Sequence, residues 1–316
     1  MATFNRLMNI DEANPAGNVH GGQLLRFMSD DAGYVAALRH LNKDAKGKFN
    51  AALGTVSKTA FHAPVHVGDL VTARAEVLSA SAHSLVVHVD LWAESLMTGH
   101  RRLTNSTDAI YVALDANEAS GLKVSSDRIP HVEHVDHEKE QHGQEVYREH
   151  LLARQDEKQS AAELKRRFKE EQWTASLGHV LLPTDCAPTN RTAKGGRIIK
   201  LMDEVGAVAA WRHSRTNCVT ASIETLRFRK PLHLGDLVSL RARPTYASSK
   251  SLEVEIIVET ASPITGESHI AAHAFFVFVA LDENGTAIKL PPLDSYSEEA
   301  EARYNERKAN QIKNRK

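Results

Sequence analysis

The segment His66-Val-Gly-Asp-Leu-Val71 recurs as His233-Leu-Gly-Asp-Leu-Val238, at an offset of 233 − 66 = 167 residues. Ser84-Leu85 returns as Ser251-Leu252, and Val112-Ala-Leu-Asp115 as Val279-Ala-Leu-Asp282, both again 167 apart. Three matches at one spacing mean that a single structural unit is written twice. Upstream the spacing grows. Ala36-Ala-Leu-Arg-His40 matches Ala209-Ala-Trp-Arg-His213 at 173, and His20-Gly21-Gly22 matches Lys194-Gly195-Gly196 at 174. The first copy therefore carries 173 − 167 = 6 extra residues, which fall in the polar stretch around Asn42 to Lys48. It carries one more inside its helix, near Ser29-Asp30-Asp31. A chain of 316 residues accommodates two such units at ordinary domain size.

Within each copy a loop leads to Gly-Gly and then to a long apolar helix, expected at about 22–40 and 196–213. Four segments with strand-like alternation and β-branched content follow. In the second copy they span roughly 218–228, 236–247, 251–260 and 268–282. One helix followed by an antiparallel meander gives an α+β class. The organisation expected is a first unit at 1–124, a charged linker at 125–172, a second unit at 173–294 and a polar tail at 295–316. The linker is His- and charge-rich, then becomes amphipathic, with Leu151, Leu152, Leu164 and Phe168 as a thin apolar stripe. His131, His134 and His137 share a spacing that could hold a metal, but in so charged a linker they read as solvated, and no metal is expected.

Composition closes several options. A formal net charge of −1 offers no global field for nucleic acid or an anionic membrane, and no helix-turn-helix or basic reading segment is evident. No run approaches the ~20 apolar residues of a membrane span. The first ten residues lack the apolar core of a signal peptide, so a cytoplasmic location is expected. Two cysteines, Cys186 and Cys218, cannot make a disulfide framework and read as reduced, small and semi-apolar.

Chemistry concentrates in two places. Asn14, Gly17, His20, Gly21 and Gly22 form a tight loop that delivers the backbone to a helix start. The first N–H groups of a helix have no internal partner and carry positive potential, so they can receive an oxygen as it becomes an oxyanion. Gly-Gly before a helix is also an ordinary helix start. The second copy places Asp203 within Leu201-Met-Asp-Glu-Val205 on its apolar helix. An acid there needs a reason, and burial alone would raise its pKa. Asp203 and Glu204 on a solvent edge is the plainer alternative. The copies have diverged in a complementary way. Aligned on His20 and Lys194, Asn14 falls on Pro188, Gly17 on Arg191 and Asp203 on Ser29. Shifting the extra residue sets Asp30 opposite Asp203 instead, with Asn190 as a partial substitute for the amide. If the units face each other, one complete site and one defective site result.

The string Asn14-x-x-Gly17-x-Val19-His20-Gly21-Gly22, with an acid nine residues beyond the His position in the partner copy, resembles the double hotdog acyl-CoA thioesterases. Leu201-Met-Asp-Glu-Val205, Thr216-Asn-Cys-Val-Thr-Ala-Ser222 and Ser248-Ser-Lys-Ser251 extend the resemblance over both repeats. It implies tandem hotdog domains, each a central helix wrapped by an antiparallel sheet, paired through one continuous sheet. It also implies hydrolysis of a fatty acyl-CoA to free acid and CoA, with Asn14 and Asp203 as the catalytic pair and a homotrimer of the chain.

On this reading Asp203 deprotonates water or attacks directly. Asn14 orients water or thioester, the amides of Gly21 and Gly22 hold the carbonyl oxygen, and no cofactor is needed. His20, Ser249, Lys250, Ser251, Arg227 and Arg229 are candidates for holding the substrate, the cations for its phosphates. The acyl chain is expected in an apolar tunnel between the two helices. The alternatives are a hotdog hydratase or dehydratase using His20 as base, and a non-catalytic acyl-CoA-binding module.

Overall fold

The computed structural model describes every residue except 15–16, 45, 117–122, 134–135, 188–190, 283–284 and 314–316, together with the side chains of 153–160, 307 and 310–313. His134, Pro188 and Asn190 thus lie outside the described residues.

Twelve strands form one antiparallel sheet. The first repeat contributes β1 (Ala2–Leu7), β2 (Phe49–Val56), β3 (Thr59–Ala60), β4 (Asp69–Ala80), β5 (Ser84–Ser95) and β6 (Arg101–Asp115). The second contributes β7 (Ala175–Val180), β8 (Cys218–Ile223), β9 (Leu226–Phe228), β10 (Leu237–Ala247), β11 (Ser251–Ala261) and β12 (Ser268–Ala280). The order is β1-β4-β5-β6-β2-β9-β12-β11-β10-β7, with β3 paired to β8, so exchanging the repeats exchanges the two outer arms and turns the β2–β9 pair into the β8–β3 pair. The halves join where Thr55 and Val56 pair with Arg227 and Leu226, and, by symmetry, where Thr59 and Ala60 pair with Ile223 and Ser222. The four strand segments read in the second copy are present. The edge strands β1 and β7 were not anticipated. Their burial alternates over only six residues, and they precede the helix rather than following it.

Both helices lie against this sheet. In the second repeat α4 (Gly195–Ser214) is regular. In the first, α1 (Gly21–Arg26) runs into a π-helical stretch, Phe27–Gly33, and then α2 (Tyr34–Leu41). A π turn takes in one residue more than an α turn. It is therefore the physical form of the one-residue insertion near Ser29 to Asp31. The carbonyl of Ser29 accepts both the Tyr34 amide and the Tyr111 hydroxyl, the latter at 2.6 Å. The counterpart of Tyr111 across the 167-residue repeat is Phe278, which faces a regular helix.

The helices cross antiparallel and almost touch. A Cβ on Gly22 would lie 2.9 Å from Lys200 Cα, and one on Gly196 would lie 2.8 Å from Arg26 Cα. The space between them at this crossing is filled, so the apolar tunnel expected there is absent. The cavities lie to either side.

The linker helix α3 (His137–Glu170) is capped by Asp136 and straps the outer face of the sheet. Val146 packs on Val86 and Ile110 of the first repeat, and Leu164 and Phe168 on Ile257 and Ile270 of the second. Leu164 and Phe168 thus belong to the expected stripe, whereas Leu151 and Leu152 are exposed. The tail forms α5 (Glu298–Lys313), seated on β10 by stacking of Tyr304 on Tyr246 and on β11 by Arg303 with Glu253.

Candidate active site

Two local features hold the Asn14 loop. Glu12 is buried and takes Gln23 Nε2 at 2.7 Å, the Asn9 amide at 2.9 Å and Arg6 at 2.6 Å. This ties the loop to the first turn of α1. Gly17, at φ 80°, closes it by donating its amide to the Asn14 carbonyl. The Asn14 side-chain oxygen accepts the Asn18 amide at 3.2 Å.

Asp203 of the second repeat is fully buried, and every bonded partner but one comes from the first. Its Oδ2 accepts from the Gly22 amide at 2.8 Å and lies 2.6 Å from His20 Nδ1. Its Oδ1 accepts from Thr220 Oγ1 at 2.5 Å. The close approach that Gly22 permits is specific, since a Cβ there would meet Asp203 Cβ at 2.6 Å.

This environment reverses the expected direction of the Asp203 pKa. Burial pushes it up, but His20, Thr220 and the Gly22 amide outweigh burial and hold the carboxyl below the usual aspartate value. Burial pushes His20 down, and the hydrogen bond and charge of Asp203 bring it above the ordinary imidazole value. The two form a coupled pair with a strong preference for Asp203 as carboxylate.

Beside this pair opens a cavity of about 470 Å³. Asn14, His20, Gly21 and Thr220 line it with polar groups, and Phe61 and Val279 are among its apolar walls. Asp203 itself lies beneath the lining and reaches the cavity through His20 and Thr220. The Gly22 amide is committed to Asp203 and cannot hold a substrate oxygen, which corrects the role expected for it. The Gly21 amide has no acceptor among the described residues and is the helix-start donor that remains.

Other expected site residues are elsewhere. Arg227 and Arg229 line a second cavity of about 430 Å³, on the far side of the helix crossing. Ser249, Lys250 and Ser251 form the β10–β11 turn and do not line the first cavity, although Ser251 pairs with Val279, which does. Thr220, Glu12 and Tyr111 escaped sequence reasoning. Thr220 sits in a segment noted only for its resemblance, and nothing in its spacing marks it as the partner of an acid 17 residues earlier.

The pseudo-equivalent site repeats the frame with different side chains around its acid. Asp30 Oδ1 accepts the Gly196 amide at 2.8 Å, so Asp30, delivered inward by the π turn, is the counterpart of Asp203, and Ser29 is not. In place of His20 stands Lys194, and in place of Thr220 stands Leu53, packed where a Gly195 Cβ would be. Asp30 Oδ2 is buried with no partner among the described residues, and burial pushes the carboxyl up to about 7. The loop register also differs from the sequence alignment. The amides of Asn14 and Ala187 play the same part, donating to the carbonyls of Asn18 and Thr192. The counterpart of Asn14 is therefore Ala187 rather than Pro188, and the second loop is one residue longer. Arg191 takes the place of Gly17 and adopts its left-handed backbone, at φ 54°.

Comparisons with known proteins agree with this duplicated frame. The chain is 32% identical over 315 residues to the cytosolic acyl coenzyme A thioester hydrolase of Mus musculus, covering 97% of this chain and 81% of that one. It is 33% identical over 312 residues to the Homo sapiens protein of the same name, covering 96% and 80%. An uncharacterised acyl-CoA thioester hydrolase of Bacillus subtilis is 35% identical over 152 residues, which is 48% of this chain but 87% of that one. The sequence profile of the thioesterase superfamily matches twice, at residues 16–100 and 191–267, and no helix among the described residues is long and apolar enough to cross a membrane. With the profile present once in each repeat and relatives aligned over nearly its whole length, the chain belongs to the thioesterase superfamily as a tandem hotdog protein.

Proposed function

We propose that this chain hydrolyses acyl-CoA thioesters to free acid and CoA, at the cavity that joins the Asn14 loop of the first repeat to Asp203 of the second. One observation carries the reading. A fully buried carboxylate is kept ionised by His20 and Thr220, which line a cavity with apolar walls. Plain binding of a thioester needs no such charge.

In the proposed reaction the thioester carbonyl lies near the Gly21 amide, which stabilises the developing oxyanion. Asn14 orients the attacking water. The water oxygen bonds to the carbonyl carbon while its proton passes to the Asp203–His20 pair, His20 facing the cavity and Asp203 holding its orientation and charge. The C–S bond then breaks, and the pair returns the proton to the departing sulfur. Asp203 as direct nucleophile fits less well, because both its oxygens are already engaged and shielded from the cavity. The reaction uses protein groups and water alone, with the CoA thioester as substrate.

The test is thiol release from acyl-CoA. Asp203→Asn is expected to lower turnover by about 10²–10⁴, and Asn14→Ala by about 10²–10³, with unchanged thermal unfolding. Wild-type rates in both variants would refute the assignment. Faster hydration of an enoyl-CoA than thiol release would favour the hydratase alternative, in which His20 acts alone. A cytoplasmic location and assembly into a homotrimer complete the proposal. Light scattering on the purified chain should return three times the 34.8 kDa protomer mass, and a monomer would exclude the assembly.

A further inference from the structure

The second cavity has lost the groups for hydrolysis, yet it has not closed. At about 430 Å³ it nearly matches the first, at about 470 Å³. A disused cavity in a close-packed protein costs contacts and is ordinarily filled by larger side chains. Here the substitutions instead add positive charge. Arg229 stands where the first repeat has His62 (229 − 167 = 62), Lys230 where it has Ala63, and Arg227 where it has Ala60. All three cations line the cavity, with His83 and His150. Its inner wall is apolar, from Leu53, Val112, Leu114 and Phe228. The linker helix α3 forms one side through Tyr147, His150 and Leu151, and Thr55 Oγ1 lies 2.8 Å from His150 Nδ1 across the boundary.

We infer that this cavity is a second, non-hydrolytic binding site for coenzyme A and its thioesters. A cationic rim suits the phosphates, which are met by charge-assisted hydrogen bonds. A narrow apolar interior suits the uncharged arm. The inference deepens the thioesterase reading, since it takes the ligand class of the first cavity and gives it a second address. Leu53 in place of Thr220 and Lys194 in place of His20 leave Asp30 without the donors that Asp203 has, which makes the ligand there a passenger and not a substrate. Because α3 closes one side, occupancy is felt by the helix that straps both repeats, which gives the site a route to influence turnover.

The experiment is calorimetric titration of the full chain with free coenzyme A, which neither cavity can hydrolyse. Wild type is expected to bind two molecules per chain. Lys230→Glu and Ala82→Trp, the first reversing charge at the rim and the second obstructing an exposed point of the lining, are each expected to bind one and to keep thiol release. Amide exchange around residues 147–151 should slow on adding coenzyme A to wild type and not to the variants. One molecule per chain in wild type, unchanged by either substitution, would overturn the inference while leaving the thioesterase reading intact. Loss of thiol release in Asp203→Asn with coenzyme A stoichiometry unchanged at two would support both. Absence of coenzyme A binding in wild type with thiol release retained would overturn the inference alone, and absence of thiol release in wild type would overturn the thioesterase reading.

Discussion

At the scale of single residues, the site depends on how one buried carboxylate is satisfied. An ionised Asp203 with no exposure would be costly unless paired and hydrogen-bonded. Three donors from two segments meet that need, His20 and Gly22 at one helix start in the first repeat and Thr220 in the second. The same arrangement sets a pH dependence. The pair accepts a proton from water only while His20 is neutral, and Asp203 holds the His20 pKa above 6.5. The rate at limiting substrate is therefore expected to rise with pH through an apparent value higher than that of free imidazole, then level off. Measuring kcat/KM from pH 5 to 9 checks this. A profile flat across that range would remove His20 from the proton path. Gly22 is equally constrained. Its amide reads the carboxylate, and any side chain there meets both the Asp203 side chain and the backbone at Lys200.

At the scale of elements, the π turn decides how the second site differs from the first. One added residue rotates Asp30 inward to the Gly196 amide but brings no partner for its other oxygen among the described residues. An acid whose folded pKa is raised from 3.8 to about 7 binds a proton in the fold that the unfolded chain has released. Stability therefore falls as pH rises through that window, and the full penalty is present above pH 7. Asp30→Asn should stabilise the protein by about 1–3 kcal/mol at pH 8, and by much less at pH 4. Denaturant titrations at the two pH values test it, and equal effects at both would show that Asp30 is not the titrating group. Much of this level was legible in sequence. The constant offset placed the strands β8 to β12, and the slip from 174 to 173 located the inserted residue within the helix. The form of the insertion was not legible, because whether a helix bulges or shifts its register depends on what packs behind it. Here that is Tyr111 reaching Ser29. The direction of the Asp203 pKa was hidden for the same reason. Sequence shows an acid among apolar residues, and only the fold supplies Thr220 and His20. Asn14 and Ala187 could not be matched because the loops differ by one residue where no anchor survives.

At the scale of the whole molecule, fusion has turned two equal halves into unequal ones. A duplicated unit that paired with itself would build two identical sites, each needing a loop from one copy and an acid from the other. Covalent linkage lets the copies diverge, so that the first keeps Asn14, His20 and Gly22 and the second keeps Asp203 and Thr220. The 34 residues of α3 then hold the two copies in register by packing on both halves of the sheet. Joining the halves across β2–β9 and β3–β8 leaves no free partner surface at that seam for a second chain. It follows that the loop and the acid of one site belong to one chain. An Asn14→Ala chain co-refolded with an Asp203→Asn chain is expected to show no more thiol release than either alone. In a protein that paired its repeats between chains, a fraction of the sites would instead unite the intact Asn14 of one variant with the intact Asp203 of the other. Recovery of a quarter or more of wild-type activity in the mixture would therefore mean that the seam exchanges between chains, and that α3 does not confine each loop to its own acid.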